Sequence, residues 1–279
     1  MSTIAINQIK NKVKTHGVML TVYYCAAFAV RKLIAPYLTH IQKTFSQAGE
    51  DIRIDKLLGR KKRGFYVDVG AHHPVSLSNT KRFYDRGWVG INLEPNPKLH
   101  QLFTQQRSED INICCGAGST SGVLDFYEME QAALSSFDPE QVCRVEKLGG
   151  QLKRVHQIPV RTLNNIFAEH VDRPIDFMSI DIEGLEEEVL LGNDWLKWRP
   201  TLICVEACSD ENVRQEPVLA ERDKFFEGIE YRRVATTRLF GRILNAIYED
   251  KKQIPQSLKQ YLSTKRHGGF NDLPRDTEG

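Results

Sequence analysis

From residue 64 to residue 248 the chain alternates short apolar runs with longer amphipathic stretches. The runs at 65–69, 89–93, 111–115, 123–127, 158–160, 176–180 and 201–206 have the length and uniform apolarity of buried strands. The stretches 79–86, 96–106, 162–170 and 185–191 read as helices between them. Strand and helix in alternation predict an α/β domain built on a parallel sheet with right-handed crossovers. Near the end, two further apolar runs, 231–236 and 242–248, are separated by a short loop containing Gly241. That pattern predicts an antiparallel hairpin closing one edge of the sheet.

The runs stop abruptly, and where they stop is informative. Phe65-Tyr66-Val67-Asp68-Val69-Gly70-Ala71 halts at an acid and a glycine. Gly90-Ile91-Asn92-Leu93-Glu94-Pro95-Asn96 ends on a carboxylate, and Phe177-Met178-Ser179-Ile180-Asp181-Ile182-Glu183-Gly184 ends on two. Parallel strands that terminate this way line a ligand crevice at their carboxyl ends. A nucleotide-like ligand and an enzyme are therefore expected. His72, His73 and Pro74 follow Gly70, so the chain lacks the G-x-G-x-x-G phosphate cradle, which counts against a dinucleotide dehydrogenase.

Composition narrows the picture modestly. A length of 279 residues suits one α/β domain with extensions. The net charge of +2 exerts no global pull toward nucleic acid, and Arg60-Lys61-Lys62-Arg63 reads as a solvated loop. The six cysteines form no C-x-x-C pair and the eight histidines show no ligand spacing, so no metal site is expected. Unpaired thiols inside apolar runs fit a reduced, cytoplasmic compartment.

Residues 1–55 read as a mostly helical extension divided at Pro36. Its apolar stretch, residues 18–30, is flanked by Lys10, Lys12 and Lys14 on one side and Arg31 and Lys32 on the other. It is too short to span a bilayer as a helix. The basic start and Ala27-Phe28-Ala29 resemble a secretory signal, but cleavage there would leave a charged, amphipathic stretch at 31–45. The segment is read instead as a helix that packs on the domain or rests on a membrane surface, with residues 18–45 as the contact. The domain proper is taken as 56–250, and 251–279, rich in Lys, Gln, Pro and Gly, as a fraying tail.

Taken in order, these motifs make the chain resemble the FkbM-type S-adenosylmethionine-dependent methyltransferases. The resemblance is carried by Tyr66-Val67-Asp68-Val69-Gly70-Ala71 with His73-Pro74 and Ser78-Asn79-Thr80, by Gly87-Trp88-Val89-Gly90-Ile91-Asn92-Leu93-Glu94-Pro95-Asn96, by Ile180-Asp181-Ile182-Glu183-Gly184, and by Ile203-Cys204-Val205-Glu206. It implies a Rossmann-like, doubly wound, mostly parallel seven-stranded sheet of the class I methyltransferase kind, with an antiparallel terminal hairpin. It also implies S-adenosyl-L-methionine as cofactor and methyl transfer to a hydroxyl of a sugar, glycan or other small metabolite. Two positions depart from the family pattern: His72 stands where a small or amide residue is usual, and Ser179 where a lysine is common.

The resemblance implies roles for particular residues. Asp68, Gly70 and Ala71 form the cofactor loop, with Gly70 letting the backbone approach the ligand and Asp68 meeting the ligand's cationic amine. Glu94 accepts hydrogen bonds from the ribose hydroxyls. Cys115 and Gly116 make either an apolar floor for adenine or a tight turn into the next strand. Ser78 and Asn79 either cap the next helix or present its N-terminus to the ligand's carboxylate.

Asp181 and Glu183 are the catalytic candidates, because residues two apart on a strand share a face. Asp181 is assigned the proton-accepting role and Glu183 a structural or substrate-positioning one, since acids also favour the helix start that follows. His73 is a candidate base, or a packed loop residue. Glu206, Ser135 and Ser136 are candidate substrate contacts, the two serines within a lid at 134–137, although Glu206 could equally pair with an arginine. Two readings compete: a glycosyltransferase holding a metal through Asp181 and Glu183, and a non-catalytic membrane-associated scaffold.

Overall fold

The computed structural model describes residues 44–182, 184–207, 215–239 and 241–252. Seven strands form the main sheet: β1 (Phe65–Val69), β2 (Val89–Leu93), β3 (Ile111–Ile113), β7 (Phe177–Ile180), β8 (Leu202–Glu206), β9 (Tyr231–Leu239) and β10 (Arg242–Asp250). Their order is β3-β2-β1-β7-β8-β10-β9. Neighbours are parallel from β3 through β8, whereas β10 runs antiparallel to both β8 and β9. The expected hairpin thus closes one edge. Between β1 and β7 the chain's direction of travel across the sheet reverses, the topological switch point where α/β sheets open a crevice.

The register explains how the two faces differ. Val67, Val69, Ile91, Leu93, Met178, Ile180, Ile203 and Val205 point to one face, where they form a core with Leu163, Ile166 and Phe167 of α5 (Leu163–His170), Val189 and Leu190 of α6 (Glu186–Leu191), and Leu219 and Phe226 of α7 (Gln215–Gly228). The alternate residues Tyr66, Phe177, Leu202, Cys204 and Ile247 pack on the other face against Ile54 of α1 (Glu50–Leu57), Phe83 of α2 (Lys81–Tyr84) and Trp88. Phe83 lies 4.5 Å from Phe177 and 5.0 Å from Trp88 between ring centroids. Strands covered on both faces read as continuous apolar runs, which is why β1 and β2 coincide with the sequence expectation.

One step toward the carboxyl ends, the second face turns polar. Asp68 stands opposite Asn92 on one side and Ser179 on the other. Both neighbours are buried, as is Asp68 itself.

Four expectations need correction. Residues 123–127 and 158–160 do not join the main sheet. They belong to β5 (Gly122–Met129) and β6 (Leu152–Arg161), which with β4 (Gly116–Ala117) make a separate sheet of order β4-β6-β5. Much of β5 and β6 is exposed, so their apolar runs belong to strands that are not covered on both faces. The strand at 111–115 ends at Ile113, where the Cys115 N–H turns back to the Ile113 carbonyl. The helix at 79–86 shrinks to α2, and α4 (Pro139–Lys147) and α7 occupy stretches that carried no helical expectation.

Helix α1 runs across residues 55 and 56, and Ile54 and Glu50 fasten it to the main sheet. The expectations for residues 1–43 and 253–279 lie outside the described residues. Among the described residues, no helix is long and apolar enough to cross a membrane.

Candidate active site

The turn after β1 is fixed by backbone geometry. The N–H groups of Gly70 and buried Ala71 both donate to the Leu93 carbonyl at 3.0 Å, tying the loop to the end of β2. Gly70 has φ +76°, and a Cβ there would lie 2.0 Å from the Asp181 carbonyl oxygen. The glycine is therefore required by the close approach of β1 to the end of β7, a different reason from the ligand approach expected of it. Gly70→Ala combines left-handed strain with a clash against main chain, and we expect it to cost about 3 kcal/mol or more. A denaturation midpoint equal to that of the native chain would contradict this.

Asp68 lies beneath that turn, buried. Its Oδ2 accepts from the Thr80 hydroxyl at 2.6 Å, and Thr80 Oγ1 accepts in turn from Arg107 Nη1 at 2.7 Å. Burial raises the Asp68 carboxyl to about 6, against the downward pull of Thr80 and Arg107. Oδ1 makes no hydrogen bond among the described residues.

Glu94 closes β2 and is also buried. Oε2 accepts from the His72 N–H at 2.7 Å and Oε1 from the Asn96 N–H at 2.8 Å. Burial pushes its carboxyl up to about 8, although both backbone donors favour the anion. Each oxygen has accepted one hydrogen bond and keeps a second lone pair.

His72, at φ +55°, is held by the same contact, and burial together with His73 lowers its imidazole to about 4. His73 Nδ1 accepts from the N–H groups of Val75 and Ser76, each at 3.1 Å. A neutral imidazole whose Nδ1 accepts carries its proton on Nε2. Burial, with Arg107, keeps the ring below its ordinary value. The geometry makes His73 a turn cap with a donor on Nε2, in line with the packed-loop alternative for this residue.

Asp181 follows β7, its N–H bonded to the Val69 carbonyl at 3.0 Å. The side chain is partly exposed and makes no hydrogen bond among the described residues. Burial and the neighbouring Glu186, Glu50 and Asp68 carboxylates raise its own carboxyl to about 7. Glu186 folds the adjacent turn by accepting from the Gly184 N–H at 3.2 Å. Glu50 is fully buried and joins α1 to the hairpin, accepting from Thr237 Oγ1 at 2.7 Å and Asn245 Nδ2 at 3.0 Å. Glu183 lies outside the described residues.

The remaining candidates serve the scaffold around these groups. Ser78 Oγ accepts from the Lys81 N–H at 3.1 Å and from Arg107 Nη2 at 2.8 Å. Asn79 Nδ2 donates to Ser179 Oγ at 2.9 Å. Both residues thus fasten the 71–80 loop instead of presenting a long helix N-terminus, since α2 has only four residues.

Cys115 points into the main core, where burial pushes its thiol up to about 12. Gly116 opens β4, and a Cβ there would lie 2.6 Å from the Phe137 ring. The tight-turn alternative therefore accounts for both. It is Cys114 that stands near Glu94, its Sγ 3.9 Å from the Pro95 carbonyl.

Glu206 ends β8 opposite Asn245, and its carbonyl accepts from Arg222. Ser135 Oγ accepts from the Met129 N–H and Ser136 Oγ from the Asp138 N–H, each at 3.0 Å. These two serines stitch residues 134–137 to the small sheet, with Ser136 bridging Tyr127, so the segment is built into that sheet and is not a free lid.

Sequence reasoning missed Glu50, Thr80 and Arg107. Thr80 sat within a quoted motif, but nothing in the pattern marks Arg107 or Glu50 as buried. The four described cysteines, Cys114, Cys115, Cys143 and Cys204, are free thiols. Among the described residues, no group of three or more His, Cys, Asp or Glu side chains is arranged to hold a metal ion.

Comparison with known proteins adds three observations. Residues 68–249 match the family model described as the methyltransferase FkbM domain. No curated protein matches the chain. Among solved structures, the chain is similar to a fibrillarin pre-rRNA processing protein from Methanococcus jannaschii, at 14% identity over 68% of this chain and 69% of that one, with a TM-score of 0.41. It is also similar to an O-methyltransferase from Bacillus cereus in complex with SAH, at 11% identity over 80% of this chain and 88% of that one, with a TM-score of 0.37.

Proposed function

Because the chain belongs to the methyltransferase FkbM domain family, we propose that it moves a methyl group from S-adenosylmethionine to a hydroxyl of a sugar, glycan or other small metabolite. The observation that carries this reading is the meeting of three strand-end carboxyls, Asp68, Glu94 and Asp181, around the Gly70 turn at the switch point of the sheet. All three stand above their ordinary range, Asp68 and Glu94 chiefly through burial and half-buried Asp181 through burial together with the neighbouring acids, and none has an adjacent salt-bridge partner. Such a set fits a ligand that brings both positive charge and hydroxyl groups.

Asp68, with Oδ1 still able to accept, would take the donor's ammonium, and Glu94 its ribose hydroxyls. S-adenosylmethionine, when bound, supplies a methyl group activated on a sulfonium. The protein's part is then to align and to handle one proton. Asp181, raised toward neutrality, orients the acceptor hydroxyl and takes its proton as the oxygen gains its methyl group. His73 Nε2–H and Glu206 remain candidate contacts at the same crest. The absence of a basic excess favours a small acceptor over nucleic acid. Residues 18–45 are proposed to bring the protein to a membrane surface from the cytoplasmic side.

Donor affinity should depend on pH with a definite sign. In the ligand-free protein Asp68 and Glu94 titrate near 6 and 8, above ordinary carboxyl values. A ligand that favours their ionised forms releases protons on binding. Affinity for S-adenosylhomocysteine therefore rises with pH up to about 8, by at most about tenfold per pH unit for each proton released, more steeply below 6 where both groups release one, and levels off above 8. Titration calorimetry in two buffers of different ionisation enthalpy counts the protons, and a flat profile would contradict the assignment. The activity itself is tested by mass spectrometry of metabolite extracts incubated with the protein and S-adenosylmethionine. One species should gain a methyl group in place of hydrogen, and no such gain in any extract would remove the proposal.

A further inference from the structure

We propose that Arg107 is a positioning residue of the donor pocket: acting through the Thr80 hydroxyl, it keeps Asp68 a carboxylate with one oxygen turned to the donor's ammonium group. The inference rests on the donor reading of Asp68 given above. Arg107 directly follows α3 (Pro97–Gln106) and is completely buried. Burying a guanidinium costs several kcal/mol unless its donors are paired. Here Nε and Nη2 donate to the Pro74 carbonyl at 3.0 and 2.6 Å, Nη2 to Ser78 Oγ at 2.8 Å and Nη1 to Thr80 Oγ1 at 2.7 Å. The rings of Phe103 and Tyr84 flank it at 5.1 and 5.5 Å.

Every one of these oxygens is formally neutral. The positive charge is therefore not neutralised by a directly bonded acid, and its field extends to Asp68, one hydroxyl away. The direction of the proton follows from donor arithmetic. A guanidinium only donates, so it occupies a lone pair of Thr80 Oγ1 and leaves the single hydroxyl hydrogen to point at Asp68 Oδ2. Oδ2 is thereby fixed as an acceptor, and Oδ1 is left for a cationic donor.

The relay has opposition to overcome. Asp110 and Glu94 crowd Asp68 from the β2 and β3 side, Asp181 from the end of β7 and Cys204 from β8, while Tyr66 shares its own strand. Of these groups Asp110 pushes Asp68 up directly, and an ionised Asp68 in turn pushes up the others. Arg107 counters them, and the three oxygens it holds belong to the 71–80 loop that forms the pocket. One buried side chain thus sets both the shape of the loop and the charge state of the acid beneath it.

Thr80→Val separates these two functions. It removes the hydroxyl at nearly constant volume and leaves the bonds from Arg107 to Pro74 and Ser78 in place. Calorimetric titration of the full chain with S-adenosylhomocysteine from pH 5 to pH 9 should show the lower limb of the pH profile moved upward by about one unit, with affinity reduced about tenfold at pH 5 and about twofold at pH 7. Thr80→Ser, which restores the hydroxyl, should return the limb to its native position. Arg107→Lys keeps the charge but cannot reach all three loop oxygens at once, so it should move the limb in the same direction even if Thr80→Val fails to fold. Weaker binding with an unmoved limb in the folded variants, or no rescue by serine, would assign Arg107 a purely structural role and overturn the proposal. Loss of binding by the native chain at every pH would instead remove the donor reading on which it rests.

Discussion

Asp181→Asn should lower the rate of methyl transfer by about 10²- to 10⁴-fold while leaving S-adenosylhomocysteine affinity within about threefold of native, because it deletes a proton acceptor and little else. The amide keeps the shape of the side chain and its backbone bond to Val69. The same substitution should make the ligand-free protein more stable at alkaline pH. The sign follows from linkage: the folded-state carboxyl titrates near 7, well above an unfolded aspartate, so above that pH the native state carries an unfavourable charge beside Glu186, Glu50 and Asp68. Asparagine removes that cost. Thermal midpoints at pH 5 and pH 9 together with single-turnover rates check both parts. An active variant would acquit Asp181 of proton transfer. An inactive variant less stable than native at pH 9 would show that its role is structural.

Glu94→Ala should weaken S-adenosylhomocysteine binding by about a hundredfold and destabilise the fold by about 2–4 kcal/mol. Two backbone donors, the part-buried His72 N–H and the buried Asn96 N–H, lose their acceptor at once, and the ribose loses its carboxylate. Glu94→Gln is not a mild substitute. Its NH₂ must face one of the two backbone N–H groups, so a donor meets a donor and only one bond survives. We therefore expect glutamine to cost more than tenfold in donor affinity. Calorimetry and denaturant unfolding of both variants measure the two effects separately. Native-like affinity in the alanine variant would place the ribose elsewhere.

These predictions share a physical origin in the cost of gathering acids. Asp68, Glu94 and Asp181 meet where β1, β2 and β7 end, and each is shifted upward first by burial and then by nearby acids: Asp110 for Asp68, Asp68 for Glu94, and Glu186, Glu50 and Asp68 for Asp181. A fold stabilised only by packing would gain from replacing any of them with a neutral residue of similar shape. Their collection at the switch point is understandable as preparation for a ligand that supplies positive charge and hydroxyl groups, with the strain relieved on binding.

The main sheet could be read in the sequence because its strands are covered on both sides. Phe65–Val69 and Val89–Leu93 are buried almost throughout, so their apolar runs begin and end where the strands do. The acids Asp68, Glu94 and Asp181 were visible for the same reason, as charges interrupting those runs. The small sheet was legible only in part: 123–127 and 158–160 read as strands, but β6 exposes Leu152 through Val155 and mixes polar with apolar residues, and β4 is only two residues long, so a separate sheet left no pattern. Helix α4 did carry a start signal, Asp138 followed by Pro139, and the Asp138 carboxylate caps the Glu140 N–H at 2.8 Å.

Arg107 and Glu50 mark a deeper boundary. Their burial depends on partners far away in the chain, Pro74, Ser78 and Thr80 for one and Thr237 and Asn245 for the other. Local pattern contains no trace of such contacts. Gly70 shows the intermediate case, in which the residue was identified but one reason for it, the obstruction from the Asp181 main chain, was not.

The decisive measurement is calorimetric titration of the intact chain with S-adenosylhomocysteine at pH 8, with a nucleoside diphosphate plus Mn²⁺ titrated in parallel. Binding of the demethylated donor at one site per chain, accompanied by proton release and independent of added metal, is the predicted result. Absence of binding by correctly folded protein, with uptake of the nucleoside diphosphate and metal in its place, would contradict the assignment of Asp68 and Glu94 and transfer the chemistry to a glycosyl donor.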